Sequence, residues 1–197
     1  MNIPIEWKII LAVLASIMAL IGNLPYLLDV IKGKIKPHPY TWFIWSIVSA
    51  ITFFGGVAKG AGIGALPTGI AEGFTIIIFF FSLKNGFSNV TRTDTYFLIA
   101  ALSGLIPWIL TKDPTISVIV AVGIDLIAFV PTFRKTWQDP KTENPILFIM
   151  NVTRHGLTLL SLSTYNIATM LHSIAMIITN SCMTFIIFTR KKHSKSK

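Results

Sequence analysis

Long apolar stretches alternate along this chain with short polar turns. A helix needs about 20 apolar residues to cross a bilayer. Seven stretches approach that length: 8–31, 40–58, 62–84, 95–111, 115–134, 144–162 and 166–189. Each predicts a transmembrane helix. The fourth is the shortest, with Pro107 near its end, and Thr111-Lys112-Asp113-Pro114 after it marks a turn. The connecting segments are too short to hold a soluble domain. The first apolar run, Ile9 to Leu28, is longer than the core of a cleaved signal peptide and contains Asn23 and Pro25, so it is expected to be retained.

The apolar pattern is duplicated. Pro25 and Pro39 are 14 residues apart, and so are Pro131 and Pro145, 106 residues later. The same offset relates Phe79 to Phe185 and Lys84 to Arg190. Each proline pair brackets a basic loop between two apolar segments, and a third apolar segment follows. The pattern predicts an all-α integral membrane protein with seven transmembrane helices in a 3+1+3 arrangement of two parallel three-helix-bundle repeats. Residues 1–85 form the first repeat, 86–113 a loop and linker helix, 114–190 the second repeat, and 191–197 a basic cytoplasmic tail. A three-helix unit copied directly would reverse its orientation, and one linker helix restores it. Internal repeats of this kind mark transporters with a substrate site at the repeat interface.

Composition agrees with a bilayer environment. Charged residues make up 13% of the chain, against about 25% in soluble domains, and mean hydropathy is +0.69. The net charge of +9 lies in short loops and the tail, where it signals topology rather than nucleic-acid binding. Lys8, Lys59 and Lys112 fall on the side of the amino terminus. Every other Lys and Arg except Arg154, which lies within a span, falls on the opposite side. The positive-inside rule then puts the amino terminus outside and the carboxyl terminus in the cytoplasm of a cell's plasma membrane. The single Cys182 excludes a disulfide framework. His38, His155, His172 and His193 lack metal-ligand spacing, and no Ser/His/Asp set or paired-Asp motif occurs. No cofactor, no metal and no enzymatic activity are expected. The glycines from Gly55 to Gly64 follow a membrane helix rather than a strand, so they predict close packing and a tight turn, not a phosphate loop.

Val130-Pro131-Thr132-Phe133, followed by Arg134-Lys135, Lys141-Thr142-Glu143 and Pro145, resembles the first helix and loop of a SWEET sugar-transporter repeat. Leu24-Pro25-Tyr26 with Lys32, Lys34 and Lys36 is the weaker first copy. The chain is thereby similar to the SWEET, SemiSWEET and PQ-loop superfamily, as a divergent member. Tyr26 and Thr132 stand where the superfamily often has Gln. Its Leu-Trp-x-x-Tyr-Gly element has no Trp in the matching stretches, Ala50 to Gly55 and Gly156 to Ser161. The resemblance implies alternating access between two bundles and a small solute, a sugar among the possibilities. It also implies a substrate-contacting Asn on the third helix of each repeat. Asn180 would fill that role, with Glu72 in place of its mate.

The residues themselves point to a pocket. Asn151, Arg154, His155 and Thr158 fall at i, i+3, i+4 and i+7, one helical face. An arginine near mid-span costs at least about 2.5 kcal/mol, so that face should turn toward the bundle interior. Its repeat-mates are Trp45, Val48, Ser49 and Thr52. The two faces predict an asymmetric pocket in which Trp42 or Trp45 stacks on a ring. The alternatives are an interfacial aromatic belt for the tryptophans, a structural pair for Arg154 and His155, and interhelical bonding for Asn180. Pro25 and Pro131 are candidate hinges or static kinks. Glu72 and Asp125 are candidates to neutralise Arg154 or to bind a proton. The expected partners are a small-molecule substrate and the lipid bilayer, with an oligomer left open. The competing readings are a seven-helix receptor or sensor and a proton-coupled transporter of amino acids or other small metabolites. A retinal receptor is disfavoured, because no Lys lies between Tyr165 and Thr189.

Overall fold

The computed structural model describes residues 3–33, 39–85, 92–103, 105–138, 140 and 145–194. Lys34, Lys36, Lys141, Thr142, Glu143 and the end of the basic tail lie outside the described residues. All regular structure among the described residues is helical: α1 (Ile5–Ile31), α2 (Pro39–Ala58), α3 (Leu66–Asn85), α4 (Arg92–Ser103), α5 (Leu105–Thr111), α6 (Pro114–Gln138), α7 (Pro145–Ser161) and α8 (Ile167–Ser194), with a 3₁₀ turn at Gly62–Ala65. Among the described residues three segments are long and apolar enough to cross a membrane: Ile5–Ile31, Gly62–Lys84 and Ile167–Arg190. Shorter apolar stretches run from Trp42 to Ala58 and from Pro114 to Ile127.

Local chemistry sets the helix ends. Pro39, Pro114 and Pro145 each occupy the first helical position, where a missing N–H costs nothing. The Asp113 carboxylate caps α6 by accepting the Thr115 N–H at 2.8 Å. Asn166 and Thr169 cap α8 reciprocally, the Thr169 N–H donating to Asn166 Oδ1 (3.1 Å) and the Asn166 N–H to Thr169 Oγ1 (3.0 Å). Helix α2 closes on Gly60, whose φ of +85° permits the left-handed turn. There the Ala61 N–H reaches Gly56 O (2.9 Å) and the Gly60 N–H reaches Val57 O (3.1 Å).

The fourth apolar stretch is helical on both sides of position 104, as α4, of 12 residues, and α5, of seven; position 104 itself lies outside the described residues.

Helices 106 residues apart share their packing. Helix α3 packs against α1 and α2, and α8 against α6 and α7. The first helix of each half also packs on the second helix of the other, α1 on α7 and α6 on α2. The ring therefore runs α1, α3, α2, α6, α8, α7 and back to α1. The third helix of each half lies between the first and second.

Burial follows the same offset. Ala12, Ala15, Ser16, Ala19 and Val30 are buried on α1, and their counterparts Val118, Ala121, Val122, Asp125 and Thr136 are buried on α6. Leu27, Trp42 and Phe81 cluster in one half, and their counterparts Phe133, Phe148 and Ile187 cluster in the other. Side chains outside the ring are apolar: Trp7, Leu14, Ile17, Ile21, Phe54, Phe80, Ile127, Phe185 and Phe188 are all exposed. Glu72, Asp125, His155, Thr158, Ser173 and Asn180 are buried. Polar groups inside and apolar groups outside are the distribution a lipid surround favours.

Candidate functional site

The two halves meet at the end of the ring that carries Lys59. The α2–α3 connection and the α7–α8 connection, which are repeat-mates, lie against each other. The Ser163 N–H donates to Ala61 O (3.0 Å) and Asn166 Nδ2 donates to Lys59 O (2.9 Å). Ala61, Ala65 and Leu162 are buried together there, with Phe53 and Leu159 packed on them. Gly62, at a φ of +59°, lets the backbone pass Ser163: a Cβ at Gly62 would come within 2.0 Å of the Ser163 hydroxyl. Beside this seam Lys59 pairs with Asp113 at 3.5 Å. The Asp113 carboxyl is held below its ordinary value by the Thr115 N–H, its strongest influence, and by Lys59.

A cavity of about 20 Å³ lies next to the seam. One water needs about 10–15 Å³, so it has room for about one. Its wall draws on both halves: Thr52 and Gly56 from α2, Gly64 and Thr68 from the first half's connection and α3, Thr158 from α7, and Thr169, His172 and Ser173 from α8. Thr52 and Thr158 are repeat-mates, both buried, each bonding a carbonyl of its own helix (2.9 Å in both).

Of the polar face on α7, His155 and Thr158 are buried and Asn151 and Arg154 are half-buried. Arg154 Nη2 donates to His155 Nε2 at 2.7 Å. A guanidinium has no acceptor, so Nε2 must offer its lone pair and the ring hydrogen sits on Nδ1. Nδ1–H then donates to Ser173 Oγ at 3.3 Å. Asn151 Nδ2 donates to Asn180 Oδ1 at 3.4 Å, and Asn180 Nδ2 donates to Met176 O at 2.7 Å. Asn151 and His155 thus reach α8, Arg154 only through His155, and Arg154 Nε has no partner among the described residues.

On α2, Trp45 stands edge to face with Trp42, centroids 5.3 Å apart, and Trp42 stacks at a tilt on Tyr26 at the same separation. Trp45 Nε1 is buried without a hydrogen-bond partner among the described residues. Ser49, one turn on, lies near the Glu72 carboxyl, but among the described residues neither Glu72 oxygen has a hydrogen bond. Trp45, Ser49 and Glu72 therefore form a polar strip in the first half, separate from the α7–α8 network in the second. Pro25 lies inside α1 and Pro131 inside α6.

Neither acid neutralises Arg154. Among the described residues no carboxylate pairs with it: Glu72 sits on α3, and α1 packs against both α3 and α7, while Asp125 is engaged elsewhere. Asp125 Oδ2 lies 3.6 Å from His172 Nε2, both side chains largely buried. His172 also meets the His155 ring edge to face at 5.4 Å. Sequence reasoning passed over His172. A signal was present: Asn166, Thr169, Ser173 and Asn180 mark a polar stripe along α8 beside which His172 falls. No family model matches the chain, and no curated protein or solved structure matches it either.

Proposed function

We propose that this chain is a small-solute membrane transporter of the SWEET and PQ-loop type. Seven spans are arranged 3+1+3, α4 and α5 together serving as the linker, and access alternates between two three-helix bundles in the plasma membrane. The amino terminus is outside and the carboxyl terminus is cytoplasmic. The observation that carries this reading is the duplication: helices 106 residues apart pack in corresponding pairs, α1·α3 with α6·α8, α2·α3 with α7·α8 and α1·α7 with α6·α2, and corresponding positions on α1 and α6 are buried. A twofold ring of this kind, with polar groups at the junction of its halves, is the architecture that rocking carriers use.

In this reading the structure is closed at the seam. A cavity with room for one water holds no sugar or amino acid, so the seam between Ala61 and Ser163 must part for a solute to enter from that side. Trp45, Ser49, Asn151, Arg154, His155 and Asn180 line the solute's path, and Pro25 and Pro131 are the hinges. The carrier binds and releases its solute unchanged. Counterflow in proteoliposomes tests this, with labelled sugars, amino acids and nucleosides at equal pH on both sides. Saturable exchange of one class establishes the carrier and its substrate. Folded protein that exchanges none of them counts against transport and in favour of a receptor.

A further inference from the structure

His155 and His172 touch ring to ring, yet their surroundings differ in what they allow. His155 Nε2 accepts from Arg154 and its Nδ1–H donates to Ser173. A second proton on His155 would have to sit on Nε2, breaking the Arg154 bond and pressing two cations together. His172 faces the opposite arrangement. Its Nε2 points at Asp125 Oδ2, so Nε2 carries the ring hydrogen toward a carboxylate and Nδ1 keeps its lone pair. A proton arriving at Nδ1 creates an imidazolium beside a carboxylate, an attractive pair in a poorly solvated place.

Among the described residues His172 is also the one titratable side chain in the cavity wall, where the hydroxyls of Thr52, Thr158, Thr169 and Ser173 surround it. Water there would connect the Lys59 end of the ring to the imidazole. The other groups around the pair are few. From α7, His155 faces His172, with Arg154 behind it. Helix α2 presents Thr52 and Gly56 and carries no titratable residue except Tyr40, at its far end. Against α6 pack α4, whose titratable residues Arg92, Asp94 and Tyr96 lie in its first turns, and α5, which has none.

We propose that Asp125 and His172 form a proton-binding site, loaded through the hydroxyl-lined cavity beneath the seam, and that its charge state drives solute movement. The proton comes from water at the Lys59 end and goes to His172 Nδ1, and Asp125 stays ionised as the counter-charge. The coupling rests on the transporter reading, whereas the proton binding stands on the geometry alone.

The full-length protein, isotope-labelled at histidine and reconstituted in lipid nanodiscs, tests the binding by NMR titration. His172→Gln assigns the signal. The histidine that takes up a proton as the pH falls should be His172, while His155 keeps one neutral tautomer. Asp125→Asn should weaken the proton affinity of His172 about tenfold or more, through loss of an opposite charge at this distance. Titration of His155 instead, or a His172 titration untouched by Asp125→Asn, overturns the site. Coupling is read separately in proteoliposomes, as the ratio of uptake under an inward proton gradient to counterflow at equal pH, across the same solute panel. A ratio above one in the wild type that falls to one in His172→Gln and Asp125→Asn supports coupling. A ratio of one in the wild type refutes coupling and leaves the transporter reading intact. No exchange of any solute refutes the transporter and the coupling with it, while the titration still decides the site.

Discussion

The backbone of Gly64 lies directly on the backbone of Leu162: a Cβ added to Gly64 would fall 2.8 Å from both the amide nitrogen and the Cα of Leu162. No side-chain rotation relieves a clash with main chain. Gly64→Ala should therefore lower thermal stability, by about 1–3 kcal/mol as for other overpacked sites. Gly22→Ala is the control, because nothing lies within 4 Å of the added methyl. It should be neutral or stabilising by up to about 1 kcal/mol, as expected for alanine replacing glycine in a helix. Unfolding of both variants in nanodiscs checks the pair, and equal effects would remove the seam from the argument.

The Asp113 carboxyl has a defined pH signature. Its folded value lies below the ordinary 3.8, first because of the Thr115 N–H and also because of Lys59. A lowered acid contributes its full stability above the unfolded value and loses it as pH falls through the folded one. Asp113→Asn should thus be less stable than the wild type at neutral pH, and the gap should narrow as pH drops below 3.8. Melting temperature against pH for the two proteins measures this. A gap that is constant with pH would show that the charge contributes nothing.

Asn151 and Asn180 join the second and third helices of one half through a single long hydrogen bond. A double-mutant cycle with alanine at both positions should return a coupling of about 0.6 kcal/mol, the usual value for such bonds inside membrane proteins. If the bond also positions the solute, each single variant should lose counterflow more than tenfold while remaining folded. Full exchange by both variants would place the solute's path elsewhere.

Glu72 presents the reverse case, a buried carboxyl with two unsatisfied oxygens. Glu72→Leu should raise solute-free stability by about 1–3 kcal/mol, the cost of leaving a buried polar group unmet, and should depress transport. A destabilised Glu72→Leu would mean that the carboxyl has structural partners after all.

Proline positions made much of this fold readable, because a proline ring acts on its own backbone and on the carbonyl four residues back. Pro39, Pro114 and Pro145 each open a helix at the residue where they stand. Helix order around the ring depends on which apolar faces meet, and Leu27, Trp42 and Phe81 carry no mark of that before folding. The candidate site suffered most from this. His172 corresponds to Leu66 in the other half and lies 47 positions from Asp125 in the chain. Only the packing of α6 on α8 brings the two together. Asn151, His155 and Thr158 were legible as one face because their spacing is local to one helix.

The seam between the two connections is written largely in main-chain atoms: the Ser163 N–H on Ala61 O, and the Gly64 backbone on the Leu162 backbone. Such a latch has an unusual genetic profile. Trimming the side chain of Ser163 removes little that holds it shut, so that loss should pass unnoticed. Gains are another matter, because Gly62 and Gly64 have no space for a single added carbon. Random mutagenesis across residues 59–66 should therefore tolerate shrinkage and reject enlargement, and its damaging changes should concentrate at Gly62, Gly64 and the turn glycine Gly60.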